Sequence, residues 1–173
     1  MRSTRWIVLA LALAALATGA ALVRADRPST PRERAKALKL ARALEVEPLG
    51  AKAADARRWL ALWLLEVSDL RVPFCPEVLG ADVPTRQRLR SEVLAQITYS
   101  GMVYLIENPS NHAAVADIYL AGIQGALRAY EAILRTQPAA RSPFLDDLLA
   151  RRDGGELAAY VAETTKACSG KHP

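Results

Sequence analysis

Apolar side chains recur every three or four positions through most of this sequence, and breaks containing proline or glycine separate the runs. That period is typical of amphipathic α-helices, whereas a half-buried strand alternates at every second residue. Sustained alternation is absent apart from a few positions near 70–74. The pattern predicts an all-α fold, an irregular bundle of five to six helices. Their approximate ranges are 31–47, 51–68, 84–107, 111–136, 142–152 and 156–168.

The first of these helices has the most specific local signal. Thr30 can cap its N-terminus, and Pro31 suits the first turn. Glu33 follows Thr30 by three residues, so its carboxylate can complete a capping box. Pro48 and Gly50 are expected to end the helix.

The second predicted helix has a broad apolar side. Its members are Trp59, Leu60, Leu62, Trp63, Leu64 and Leu65. Much of the helix circumference is therefore expected to be buried. Trp59 and Trp63 are four residues apart, and they can either fill the core or line a ligand pocket. We favour the core, because large aromatic side chains contribute most of their stabilisation when buried.

The fourth and longest predicted helix has a patch of small residues. Gly122 and Gly125, beside Ala121 and Ala126, let another helix approach closely. Each glycine costs up to about 1 kcal/mol relative to alanine inside a helix. Close packing is expected to offset that cost.

Residues 126–138 resemble the second helix of a tetratricopeptide repeat. Ala126, Tyr130 and Pro138 occupy the positions of the small residue, the aromatic residue and the closing proline. The resemblance stops upstream, and no second copy follows at the repeat's spacing of about 34 residues. We interpret the segment as one amphipathic helix and assign no family.

Residues 1–25 have the organisation of a secretory signal peptide. Arginines precede an apolar run over 6–23, and small residues permit cleavage after Ala20 or after Ala25. The alternative is an uncleaved single-pass membrane anchor, because a run of this length can just span a bilayer. We favour cleavage, since many of the residues in the run are alanines. The expected location of the mature chain is periplasmic or secreted.

Past the signal peptide, the sequence predicts a polar lead-in over 26–31, a helical domain over 32–168 and a tail over 169–173. The chain's two cysteines, Cys75 and Cys168, allow one pairing, and export favours disulfide formation. The chain-entropy model gives such a bond roughly 4–5 kcal/mol for a loop of about 94 residues. Two unpaired thiols are the alternative.

Charge excludes one class of partner. The whole chain carries a net charge of +5, and three of its positive charges lie on arginines in the signal peptide. The remaining excess is too small to indicate nucleic-acid binding. Arg86, Arg88 and Arg90 crowd the first turns of the third predicted helix, where cations are unfavourable. They can bind an anionic partner, although a solvated face paired with acids is the commoner arrangement.

No stretch has a catalytic, metal-binding or nucleotide-binding signature, so no cofactor is predicted. His112 and His172 are the chain's histidines, and neither has metal-ligand spacing to other candidate ligands. An enzyme is therefore disfavoured. A hydrolase would need His112 buried beside an acid or a hydroxyl group.

Two binding hypotheses remain beside the hydrolase. The preferred one is an exported, non-catalytic domain that binds another protein, which requires an exposed apolar or charged patch. The alternative is a carrier of a small apolar ligand, which requires a cavity. Its aromatic walls would come from Trp59, Trp63, Tyr104, Tyr119 and Tyr130. Contact with a membrane is expected only if the signal segment is uncleaved.

Overall fold

The structure is a computed structural model, and it describes residues 27–73, 75–79, 90–109, 114–166 and 168. The helices in these residues are α1 (Pro31–Val46), α2 (Ala53–Glu66), α3 (Ser91–Glu107), α4 (Val115–Thr136), α5 (Pro143–Asp153) and α6 (Leu157–Thr165). Two short 3₁₀ turns, Pro76–Leu79 and Pro138–Ala140, complete the regular structure.

The predicted all-α class is confirmed for the described residues. They contain no strand beyond an isolated parallel bridge between Arg27 and Val67. None of the described helices has the length and apolar character needed to cross a membrane. The predicted signal peptide over 1–25 and the tail over 169–173 lie outside the described residues.

The predicted capping box of α1 is present. The Thr30 hydroxyl accepts a hydrogen bond from the Glu33 backbone N–H at 3.3 Å, and the Glu33 carboxylate accepts from the Thr30 N–H at 2.9 Å. Arg27 donates to the same carboxylate at 2.7 Å. The hydrogen bond from Arg27 contributes most to lowering the pKa of Glu33, which is about 2, and the hydrogen bonds from Thr30 add to the effect.

Two helices begin later than predicted. Arg90 has an extended backbone, with φ −65° and ψ 139°, so α3 begins at Ser91 and not near residue 84. Ala114 is extended at ψ 142°, so α4 begins at Val115 and not at residue 111. Neither Arg90 nor Ala114 makes a side-chain cap. Arg90 therefore precedes α3 instead of standing within its first turns.

The central helix pair is α3 and α4, and its close approach depends on glycine. A Cβ at Gly122 would lie 2.6 Å from the Ile97 carbonyl oxygen, and one at Gly125 would overlap the side chain of Ser100. Gly101 on α3 faces Ile118 in the same way, at 3.1 Å. The small-residue patch thus serves the predicted purpose, and α4 is one continuous helix from Val115 to Thr136.

Two apolar clusters surround this pair. One lies around α4, α5 and α6 and includes Leu127, Tyr130 and Val161. The other joins α1, α2 and α3 through Ala41, Leu60 and neighbouring side chains. Because α2 contributes only to the second cluster, it lies at the edge of the bundle.

The predicted disulfide is present between Cys75 and Cys168, and both residues are buried. It joins the loop after α2 to the turn after α6. Tyr119 on α4 fixes the same loop, because its hydroxyl donates to the Pro73 carbonyl at 2.7 Å and accepts from the Cys75 N–H. The disulfide and the hydrogen bond from the Cys75 N–H to Tyr119 therefore fix the loop at Cys75.

Candidate functional site

A groove between α1 and α2, which we call the α1–α2 groove, is a candidate binding surface. It has a volume of about 630 Å³ and is open to solvent. Its walls are Lys36, Lys39, Leu40, Ala43 and Leu44 on α1, and Ala53, Asp55, Ala56 and Trp59 on α2; Glu47, Gly50 and Lys52 close one end. At 1.5 Å per residue, the α1 wall from Lys36 to Leu44 is about 12 Å long, or roughly two helical turns.

The two tryptophans have different positions relative to this groove. Trp63 is 3% exposed and belongs to the core, whereas Trp59 is half-buried and lines the groove. Their rings stack with centroids 5.4 Å apart and planes 13° from parallel. The Lys36 ammonium lies 4.0 Å from the centroid of the Trp59 ring, a cation–π contact. Trp63 thus supports Trp59 from beneath, and Lys36 covers it from the solvent side.

The prediction that most of α2 is buried is wrong for two residues. Leu62 is 55% exposed and Leu65 is 67% exposed. Two residues along a helix correspond to a rotation of about 200°, so Leu62 faces away from Leu60 and Leu65 faces away from Trp63. Leu60 and Trp63 are buried against α1 and α3. Because α2 is at the edge of the bundle, no described element covers its other side.

Unpaired cations border the groove. The side chains of Lys39 and Lys52, which line the groove, and of Arg32, one turn before Lys36, make no hydrogen bond or ion pair with any residue that the structure describes. Several other basic side chains in the described residues are matched with acids, although Arg58, Arg71 and Arg135 are not. Arg34 contacts Asp69 at 2.6 Å, for example, and Arg152 contacts Glu131 at 2.8 Å. The excess positive charge on α1 is therefore concentrated where the groove lies.

The three tyrosines proposed as pocket walls do not meet around one cavity. Tyr104 lines a small cleft of about 170 Å³ between α3 and α4. Tyr119 is buried beside the disulfide loop, and burial raises the pKa of its phenol. Tyr130 is also buried; it donates to Asp146 at 2.9 Å and accepts from the Ser142 N–H at 2.8 Å. Tyr119 and Tyr130 thus hold loops in place, and neither lines the α1–α2 groove.

Arg90 is the one member of the predicted arginine cluster within the described residues, since Arg86 and Arg88 lie outside them. Its Nη1 donates to Gln137 Oε1 at 3.0 Å, and its Nε is 3.5 Å from a Glu92 carboxylate oxygen. Arg90 is therefore engaged with residues on α3 and after α4.

A buried polar network joins α1, α3 and α4, which the sequence did not reveal. The Ser100 hydroxyl donates to Glu45 at 2.7 Å and accepts from Gln96 at 2.9 Å. Arg128 donates to both oxygens of the Glu45 carboxylate, at 2.8 and 2.9 Å. The Ser100 hydroxyl therefore links α3 to α1 through Glu45, and the Glu45 carboxylate links both to Arg128 on α4.

One group of possible metal ligands lies together in the described residues, namely Cys75, Glu77 and Cys168. The Glu77 Oε2 atom is 3.0 Å from the Cys168 sulfur. Because the two sulfurs are bonded to each other, neither is available as a thiolate ligand. His112, which the hydrolase hypothesis needs, and His172 lie outside the described residues.

Comparison with models of protein families, with curated proteins and with solved structures found no match to this chain. Function is therefore argued from the α1–α2 groove and its surroundings alone.

Proposed function

We propose that this chain is an exported, non-catalytic α-helical domain that binds another protein through one side of the α1–α2 hairpin. The observation that carries the proposal is the continuity of apolar surface. Trp59 in the groove and the exposed Leu62 are three residues apart, so they are neighbours on the surface of α2. An exposed apolar surface of this kind is typical of protein interaction sites.

The energetics favour a partner that covers both the groove and the leucines. Burying what remains exposed of Leu62 and Leu65 contributes about 2–4 kcal/mol, from roughly 1.5–3 kcal/mol for a fully buried leucine. A micromolar complex requires about 8 kcal/mol. The groove must therefore supply much of the remaining free energy.

Two features support export. The N-terminal 25 residues have the organisation of a signal peptide. The buried Cys75–Cys168 disulfide is of the kind that persists in oxidising compartments and is rare in the cytosol. A periplasmic or secreted location follows from these two features taken together.

A carrier of a small apolar ligand has less support. Sites for small molecules bury about 70–90% of the ligand surface. The α1–α2 groove is open, so a small ligand would leave one side in water. Tyr119 and Tyr130 do not contribute to it.

Site-specific photo-crosslinking tests the proposal. A photoreactive amino acid replaces Leu62, with Ala159 on α6 as the control, because both positions are exposed. The chain keeps its own leader and is expressed in the cells that naturally make it. We expect a discrete protein adduct from position 62 and none from position 159. Equal labelling at both positions, or no protein adduct at either, would contradict the proposal.

A further inference from the structure

We infer that the α1–α2 groove binds an amphipathic helix of the partner protein, in which an apolar stripe is bordered on one side by carboxylates. The inference deepens the proposed protein-binding function and rests on it. The shape of the groove, the residues of its floor and its charge each support the inference.

The shape of the groove fits a helix. Two helices joined by a short turn, α1 and α2, form its walls, and about 12 Å of wall corresponds to roughly two turns of a docked helix. Docking of an amphipathic helix into an apolar groove is a recurring mode of peptide recognition. A flat lipid surface cannot enter a concave groove in the same way, so the groove favours a protein segment over a membrane.

The floor of the groove determines which apolar residues fit. Ala43, Ala53 and Ala56 are small, and they leave space between the two helices beside the Trp59 ring. A docked helix fills that space by presenting large apolar side chains such as leucine, methionine or phenylalanine, since alanine would leave voids. These residues should recur at i, i+3, i+4 and i+7 along one face.

The charge of the groove determines which residues should border the apolar stripe of the docked helix. Arg32, Lys36 and Lys39 are at i, i+4 and i+7 of α1 and therefore share one face along the groove. Arg58, beside Trp59 on α2, is also exposed and without an ion-pair partner among the described residues.

The acids of the hairpin do not balance this row of cations. The carboxylates that line the groove, Glu47 and Asp55, are at or toward the end that the α1–α2 connection closes. At the open end, Glu33 and Glu66 are both paired with Arg27. They therefore do not offset Arg32, Lys36 and Lys39, and glutamate or aspartate on the docked helix is complementary to that row. The acidic border should lie along α1, since the α1 wall carries the row of cations.

A displayed peptide library tests this inference with the full chain. The library consists of helical 18-residue peptides with a fixed i, i+3, i+4, i+7 leucine pattern and randomised flanking positions. It is selected in parallel against the wild-type chain, Lys39→Glu and the matched control Lys166→Glu. Lys39 and Lys166 are both exposed, and Lys166 is at the end of α6, remote from the groove in sequence. Circular dichroism checks that each variant is folded.

The expected result is enrichment of aspartate and glutamate beside the leucine stripe in selections against the wild type and Lys166→Glu. The enriched peptides should bind Lys39→Glu about five- to tenfold more weakly, since the change removes one exposed ion pair and adds repulsion. Their binding should also shift the indole N–H resonance of Trp59.

Three other results would overturn the inference: enrichment of lysine and arginine, acidic peptides that bind Lys39→Glu unchanged, or no enriched helix. Vesicles of phosphatidylcholine and phosphatidylglycerol are tested in parallel. Lys39-dependent binding to those vesicles, without peptide binding, would also overturn it. If any of these results is obtained while position 62 still gives a protein adduct, the inferred acidic amphipathic helix is wrong and the protein-binding function stands. If the adduct is also absent, the proposed function is wrong as well.

Discussion

Replacing Gly125 with alanine should destabilise the protein, although alanine is the better helix former. The exchange gains about 1 kcal/mol of helix propensity. The new Cβ would lie 2.6 Å from Glu45 Oε1 and overlap the Ser100 side chain. Overpacking costs about 1–3 kcal/mol. If Ser100 rotates away, its buried hydrogen bonds to Glu45 and Gln96 are lost, which costs about 1–3 kcal/mol more. The expected net loss is roughly 2–4 kcal/mol.

Urea unfolding followed by circular dichroism at 222 nm measures this loss, and a double-mutant cycle with Ser100→Gly identifies its cause. Removing the Ser100 side chain makes room for the methyl group added by Gly125→Ala only if the two positions collide. The double variant should therefore be more stable than the sum of the single changes predicts, by about 1–3 kcal/mol. Gly125→Ala with unchanged or increased stability, or an additive cycle, would refute the proposed helix contact.

The remaining predictions concern stability. Cys75→Ser combined with Cys168→Ser should lower the free energy of unfolding by about 4–5 kcal/mol, because the bond closes a loop with a sequence separation of 93 residues; chemical denaturation of both forms checks this. Leu60→Ala should cost about 2–5 kcal/mol, whereas Leu62→Ala should cost less than about 0.5 kcal/mol, because only Leu60 is buried; equal losses in thermal denaturation would contradict the observed orientation of α2. Glu33 has its pKa lowered from 4.5 to about 2, so its contribution to stability is complete above pH 4.5 and disappears as the pH falls toward 2. Glu33→Gln should flatten that part of the pH–stability profile, and an unchanged profile would show that another carboxylate is responsible.

Local signals in the sequence predicted the features that depend on neighbouring residues. The capping box needs Thr30 and Glu33 alone, and their spacing fixes the contact. The disulfide was predictable because two cysteines allow one pairing. The small-residue patch at Gly122 and Gly125 predicted a close helix contact, although it did not identify α3 as the partner.

Features that depend on distant parts of the chain were not predictable in this way. Arg90 is extended where the third helix was predicted, and it donates a hydrogen bond to Gln137, 47 residues away. The ion pair between Arg128 and Glu45 joins residues 83 apart. The exposure of Leu62 depends on α2 lying at the edge of the bundle, and an apolar pattern along one helix does not specify whether a neighbour covers each side.

The groove was also only partly predictable. The sequence singled out Trp59 as a possible pocket wall, and Lys36 and Lys39 belong to the predicted first helix. It did not indicate that these residues meet, because the turn between α1 and α2 determines which faces of the two helices adjoin. Lys36 lies over the Trp59 ring only in the folded hairpin.

We propose that the domain is exported with its disulfide closed and binds its partner outside the cytoplasm. The most direct test is the intact mass of the chain purified from an exporting host, measured with and without reduction and alkylation. We predict the mass of a chain that begins at Ala21 or Asp26. This mass should be lower than that of the dithiol form by two hydrogen atoms. A chain that retains its leader and has free thiols at Cys75 and Cys168 would contradict the claim.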